Sequence, residues 1–218
     1  RCGIRYRRFS DDKGYRKFMK KEVLKYKNLR YAVYRPDGGT AVKGVILHLH
    51  GAGGRGTDIS LVQYNPLMKY AYATKGEFPF TIVAPQCERD SWFDIFEQLQ
   101  DFAEYIKTSE NAEKYFLSGI SMGGYTSWQL LESLPDLFKK AIICCGGGMY
   151  WNAGRINAEV HAYHGKKDES VFFDESVRMV ERMKAAGKKA EVVLYENSAH
   201  NCWDETYSDP ETYKFLYE

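Results

Sequence analysis

Ser121 stands in the run Gly119-Ile120-Ser121-Met122-Gly123-Gly124, between the apolar stretch Tyr115-Phe116-Leu117 and a helix-forming stretch from Tyr125 that Pro135 stops. A serine hydroxyl is a weak nucleophile until a sharp strand-to-helix turn exposes it beside a base. Glycines two places before and two after it let such a strained turn close without side-chain clashes. By itself the motif is weak, because a chain with 19 glycines can meet it by chance, and a plain glycine-rich turn is the competing reading. The strand pattern before it and the helix pattern after it favour the nucleophile.

A nucleophilic serine needs a base, and the base needs an acid to orient it. Of the five histidines, His48 and His161 fall inside strand patterns, where a satisfied structural histidine is the commoner explanation. His50 and His164 each precede a glycine at a strand end and read as loop-shaping residues. His200 lies in the polar loop Glu196-Asn197-Ser198-Ala199-His200-Asn201-Cys202-Trp203 after the last predicted strand, so it is the candidate base. The acid is expected between serine and histidine in chain order, on a loop after a strand, and His164-Gly165-Lys166-Lys167-Asp168 supplies it. Asp168 could instead cap a helix, and Asp174 and Asp204 compete for the role.

A second glycine cluster, His50-Gly51-Ala52-Gly53-Gly54-Arg55-Gly56, follows a nearly continuous apolar run. Phosphate cradling lacks the lysine-serine/threonine ending of a P-loop. Main-chain N–H groups of Ala52 and Met122 are the better reading, as donors to a developing oxyanion, each worth roughly a hundred- to a thousandfold in rate. The five cysteines form no C-x-x-C pair, so neither a metal nor a cofactor is expected. Their odd number leans toward a reducing compartment such as the cytoplasm, with a secreted catalytic module as the other reading.

These residues need a frame. The 218 residues suit one domain, 1–218, of ordinary composition, 44% hydrophobic and 28% charged, with no apolar run long enough to span a bilayer. Net charge is +2, but residues 1–30 carry 12 Lys/Arg against 3 Asp/Glu, leaving 19 against 26 elsewhere. No nucleic-acid module accompanies that basic segment, and lysines guarding an edge strand pair explain it better than nucleic-acid binding. Patterning predicts a strand pair over 18–27 and 29–35, then strands at 44–50, 80–85, 115–118, 139–145, 159–164 and 190–195. Helices are predicted at 61–74, with Pro66 near the start of its regular part, and at 94–108, 122–133, 174–186 and from about Pro210. Alternating strands and helices imply an α/β fold, a mostly parallel central sheet with helices on both faces, whose sites form at the carboxyl ends of the strands.

With Ser121, Asp168 and His200 in that order, the chain resembles the α/β-hydrolase superfamily over nearly its whole length. More narrowly, the oxyanion loop at His50, Pro85-Gln86-Cys87, the segment from Gly119 to Tyr125, His164 to Asp168 and His200-Asn201-Cys202-Trp203 are similar to the small lid-less esterases classed as predicted peptidases or phospholipase-like hydrolases. Those resemble feruloyl and acetylxylan esterases and dienelactone hydrolases. Dienelactone hydrolases proper use a cysteine nucleophile, so the serine points away from that activity, and such relatives commonly carry an acidic residue where Gly54 stands. Only about fifteen residues, 146–160, are available where many members insert a helical cap, which predicts a cap-less, open site. The resemblance implies a serine esterase acting on small-molecule or polysaccharide-linked esters, acetyl or feruloyl, with a peptidase or a silent binding module as alternatives. Trp92, Trp203 and Gln86 are the candidate substrate-binding residues, from a set that includes Phe93, Met149, Tyr150 and Trp151; ordinary packing is the competing reading for each aromatic.

Overall fold

A computed structural model describes residues 18–37, 41–62 and 65–217. Cys2 and most of the basic start lie outside the described residues. One eight-stranded sheet runs in the order β1-β2-β4-β3-β5-β6-β7-β8. β1 (Met19–Tyr26) and β2 (Leu29–Pro36) are antiparallel and turn at Lys27, whose φ is 50°. β2 meets β4 (Phe80–Pro85) antiparallel. From there β3 (Gly44–Leu49), β5 (Tyr115–Ile120), β6 (Lys140–Cys144), β7 (Glu159–Gly165) and β8 (Ala190–Tyr195) are all parallel.

β3, β4 and β5 are buried at every position, as strands covered on both faces must be. Side chains alternate between two cores. Val45, Leu47, Tyr115, Leu117, Ala141 and Ile143 face one core, which α2 (Phe96–Ser109), α3 (Met122–Ser133) and α4 (Asp174–Ala185) complete. Ile46, Phe116, Ile142 and Cys144 face the other, closed by α1 (Pro66–Ala73), α5 (Trp203–Ser208) and α6 (Glu211–Tyr217). This is the α/β-hydrolase architecture. Between β6 and β7 stands a single 3-10 turn, Tyr150–Arg155, rather than a cap domain.

Within the segment 61–74 the regular helix starts at Pro66, as expected, with Asn65 capping it by accepting the Met68 N–H at 3.0 Å and a 3-10 turn over Ile59–Val62 before it. Two local differences from the sequence expectation have physical causes. The helix predicted at 94–108 is entered through a 3-10 turn, Trp92–Ile95, closed by a Ser91/Asp94 capping box. α5 was not expected. Its six residues are too few for a helical period, and the buried Thr206 and Tyr207 hold it in place.

Candidate active site

β5 delivers Ser121 at its carboxyl end with φ 54° and ψ −115°, a conformation that L-residues adopt only when their surroundings impose it. The surroundings here are two close approaches. A Cβ on Gly119 would lie 2.2 Å from Ser127 Oγ, and one on Gly123 would lie 2.1 Å from the Leu49 carbonyl oxygen. The Ser121 N–H donates to the Cys144 carbonyl at 2.9 Å, and the Ser121 carbonyl accepts the Tyr125 N–H at 3.0 Å to start α3. The serine therefore sits half-buried at the positive end of a helix.

Ser121 Oγ lies 2.8 Å from His200 Nε2, and His200 Nδ1 lies 2.7 Å from Asp168 Oδ2. The imidazole is 27% exposed, whereas the carboxylate is fully buried in the loop after β7. Asp168 Oδ1 accepts the N–H groups of Ser170 and Val171, each at 2.9 Å, which fixes the carboxylate plane and points Oδ2 at the histidine. The His200 loop is tied down separately. Its carbonyl receives the Cys145 thiol at 3.0 Å, Cys145 Sγ touches Cys202 Sγ at 2.9 Å, and Lys167 N–H reaches the Ser198 carbonyl at 3.0 Å. The Cys202 sulfur and burial together push the Cys145 thiol far up, so it is a packed thiol and not a competing nucleophile.

The glycine loop adjoins this set. A Cβ on Gly51 would stand 3.5 Å from Ser121 Cβ, which places the exposed Ala52 beside the nucleophile. Met122 opens α3 and carries one of the N–H groups that a helix leaves without an internal partner. Behind the loop, His50 shapes it as its strand-end position suggested, while the support given by Arg55 is what sequence reasoning missed. His50 Nδ1–H donates to the Gly51 carbonyl at 2.7 Å while Nε2 accepts the Cys87 N–H at 3.0 Å, which fixes a neutral tautomer. Burial holds its pKa down to about 4, against the pull of the Gly51 carbonyl. Arg55 clamps the carbonyls of Ala52 and Asp90, both at 2.9 Å. A side chain at 54 would meet the His50 ring at 2.5 Å, so the glycine that departs from the resembling esterases is the one this His50 packing requires.

The substrate-pocket candidates divide. Trp203 is half-buried with its ring edge-on to His200, centroids 5.2 Å apart. Trp92 is fully buried and gives its indole N–H to the His50 carbonyl at 3.1 Å. Gln86 is likewise buried, its amide donating to the carbonyls of Gly54 at 3.1 Å and Asp58 at 2.7 Å. Both support the glycine loop and present no face to a ligand. Phe93, Tyr150, Trp151 and Phe172 are exposed, on the segments after β4, β6 and β7, the edge that also carries Ser121. Asp204, the rival acid, lies in the first turn of α5, and Asp174 opens α4.

Among the described residues one group, Cys145, His164 and Asp168, brings potential metal-ligand atoms within 4.8 Å of one another. Their contacts are already made: the thiol to the His200 carbonyl, the imidazole to Ser176 and Val171, the carboxylate to two amides and His200. No helix of the described residues is long and apolar enough to cross a membrane.

Residues 81–213 match the model of the dienelactone hydrolase family. No curated protein matches the sequence. Among solved structures, a thermostable esterase superposes with a TM-score of 0.76 at 24% identity, over 91% of this chain and 62% of that one. An acylaminoacyl peptidase from Pyrococcus horikoshii gives 0.66 at 17% identity, over 85% of this chain and 38% of the other. Est1E from Butyrivibrio proteoclasticus gives 0.70 at 13% identity, over 90% and 98%. The chain thus spans about three fifths of the thermostable esterase and about two fifths of the peptidase.

Proposed function

The chain belongs to the dienelactone hydrolase family, and from that membership and the serine–histidine–aspartate geometry we propose that it is a serine carboxylic ester hydrolase working through an acyl-enzyme on Ser121. The observation that carries the reading is the unbroken line from Ser121 Oγ through His200 to Asp168, with contacts of 2.8 and 2.7 Å. In this reading Ser121 attacks the ester carbonyl carbon while His200 Nε2 takes the hydroxyl proton, and Asp168 holds the ring and stabilises the imidazolium. The tetrahedral oxygen is stabilised by the N–H groups of Met122 and Ala52 and by the α3 N-terminus. Collapse expels the alcohol, which receives the proton from His200. A water, deprotonated by the same ring, then frees the acid and restores Ser121. No step calls for a cofactor.

Residues 1–218 are read as one catalytic domain. The cap-less segment over 146–160 and the exposed aromatics Phe93, Tyr150, Trp151 and Phe172 support an open cleft for an acyl group, acetyl or feruloyl, on a carbohydrate or other bulky carrier. Trp203, with its ring 5.2 Å from His200, is read as the aromatic that contacts the acyl group. The test is a panel of acetyl and butyryl nitrophenyl esters, methyl ferulate, acetylated xylan and a chromogenic peptide, offered to the wild type and to Ser121→Ala. Serine-dependent ester cleavage is expected. Cleavage of the peptide alone would make it a peptidase, and no cleavage at all would leave a silent binding module.

A further inference from the structure

His164, near the end of β7, is buried and takes no part in the steps above. Its ring nitrogens can be assigned protons by counting donors. Nε2 faces the Val171 carbonyl at 2.9 Å and Asp168 Oδ2 at 3.2 Å. The carbonyl can only accept, and so can the carboxylate when ionised, so Nε2 carries a proton. Nδ1 faces the Ser176 hydroxyl at 2.8 Å. That hydroxyl has one proton, and Ser176 Oγ stands 2.7 Å from the Gly146 carbonyl, which takes it. Ser176 therefore meets Nδ1 with a lone pair, and a contact at that distance requires Nδ1 to donate. Only the imidazolium donates from both nitrogens.

We propose that His164 is held as an imidazolium, a positioning residue that neutralises Asp168 from the side opposite His200. The proposal deepens the hydrolase reading and rests on it for its effect on catalysis. A buried carboxylate without a counter-charge is costly, and protonating it would end its use to His200 as an acceptor. With His164 charged, Oδ2 is shared between two imidazoles and Asp168 stays ionised. The other titratable groups around the ring are His200 from the loop after β8 and Cys145 from the end of β6, while α4 faces it with the Ser176 hydroxyl. Burial, with His200 beside it, opposes the charge and outweighs the Val171 carbonyl and the Asp168 carboxylate that favour it, so these neighbours alone would lower the ring's pKa. The positions of the Ser176 and Gly146 oxygens decide between them, since a neutral ring would leave two lone pairs in contact.

The direct test is a long-range proton–nitrogen spectrum of the 15N-labelled wild type without substrate at pH 8, where a free imidazole is neutral, with His164 assigned by comparison with His164→Gln. Two protonated ring nitrogens are expected, and one unprotonated nitrogen overturns the proposal. In His164→Gln, which removes the charge but can still donate, the acid limb of kcat/KM for ester hydrolysis should move up by about one pH unit. A slower enzyme with an unmoved acid limb would mean that His164 is only packing, and would also overturn it. Survival of ester hydrolysis in Ser121→Ala would sink the catalytic assignment while leaving the nitrogen spectrum to stand by itself.

Discussion

Two serines three residues apart each touch a histidine, Ser121 with His200 at 2.8 Å and Ser118 with His48 at 3.0 Å. The distances are nearly equal, and everything around them differs. Ser118 and His48 are directly opposed on the neighbouring strands β5 and β3, both fully buried. Ser118 shares its hydroxyl with Tyr207 at 2.6 Å, and among the described residues no carboxylate orients His48, whose Nε2 finds no hydrogen-bond partner there. Burial drives the His48 pKa down to about 3. Ser121 sits instead on a strained turn, at a helix N-terminus, against a part-exposed ring that Asp168 holds. A serine–histidine hydrogen bond is thus common furniture of a sheet. Backbone strain, access and the orienting acid distinguish the pair that can do chemistry.

The comparison breaks most sharply by exchanging the two serines for alanine. Ser121→Ala should lower turnover of a nitrophenyl ester by roughly a millionfold with the melting temperature nearly unchanged. Ser118→Ala should keep turnover within a few-fold and cost about 1 kcal/mol of stability in a denaturant titration. Asp168→Asn comes next, with a loss of about ten-thousandfold in turnover, because the amide orients the wrong tautomer of His200. A similar loss in Asp204→Asn with Asp168→Asn active would move the acid to α5.

How much of this was legible in sequence follows the same division. That Ser121, His200 and Asp168 come together was readable because their meeting depends on chain order and on glycines at fixed offsets from Ser121. Strands β3 to β8 were readable from apolar runs and alternation. The Ser118–His48–Tyr207 contact was not readable, since it joins β5, β3 and an unexpected six-residue helix whose two aromatics, Trp203 and Tyr207, are one helical turn apart but too few to establish a period. Trp92 illustrates the limit from the other side. Its place after a strand-end loop suggested a pocket wall, but the 3-10 turn over Trp92–Ile95 rotates the indole inward, to the His50 carbonyl. Sequence locates a residue on a loop and does not say which way the loop faces.

Acid sharpens the comparison further. His48 titrates at about 3 in the fold against 6.5 in the unfolded chain, so between those values the unfolded state binds the extra proton. Its contribution is complete above pH 6.5 and is lost as the pH falls toward 3. His48→Phe removes it, so the decline in melting temperature between pH 6.5 and 4 should become shallower, by up to a few kcal/mol in stability, while neutral-pH turnover stays. An unchanged decline would mean that the ring is protonated in the fold. The smallest effect belongs to Tyr207→Phe, which leaves the Ser118–His48 contact and removes only the Ser118–Tyr207 hydrogen bond, at about 0.5–1 kcal/mol and with no change in kcat.

The most direct measurement of whether Ser121 is the activated serine is labelling of the native chain with a fluorophosphonate, followed by peptide mass mapping. A phosphonate reacts with a serine only where a base activates it and donors receive the charged oxygen. One adduct per chain, on the peptide that contains Ser121 and absent from Ser121→Ala, is the expected result. No adduct, or an adduct on Ser118 or any other serine, would contradict the account.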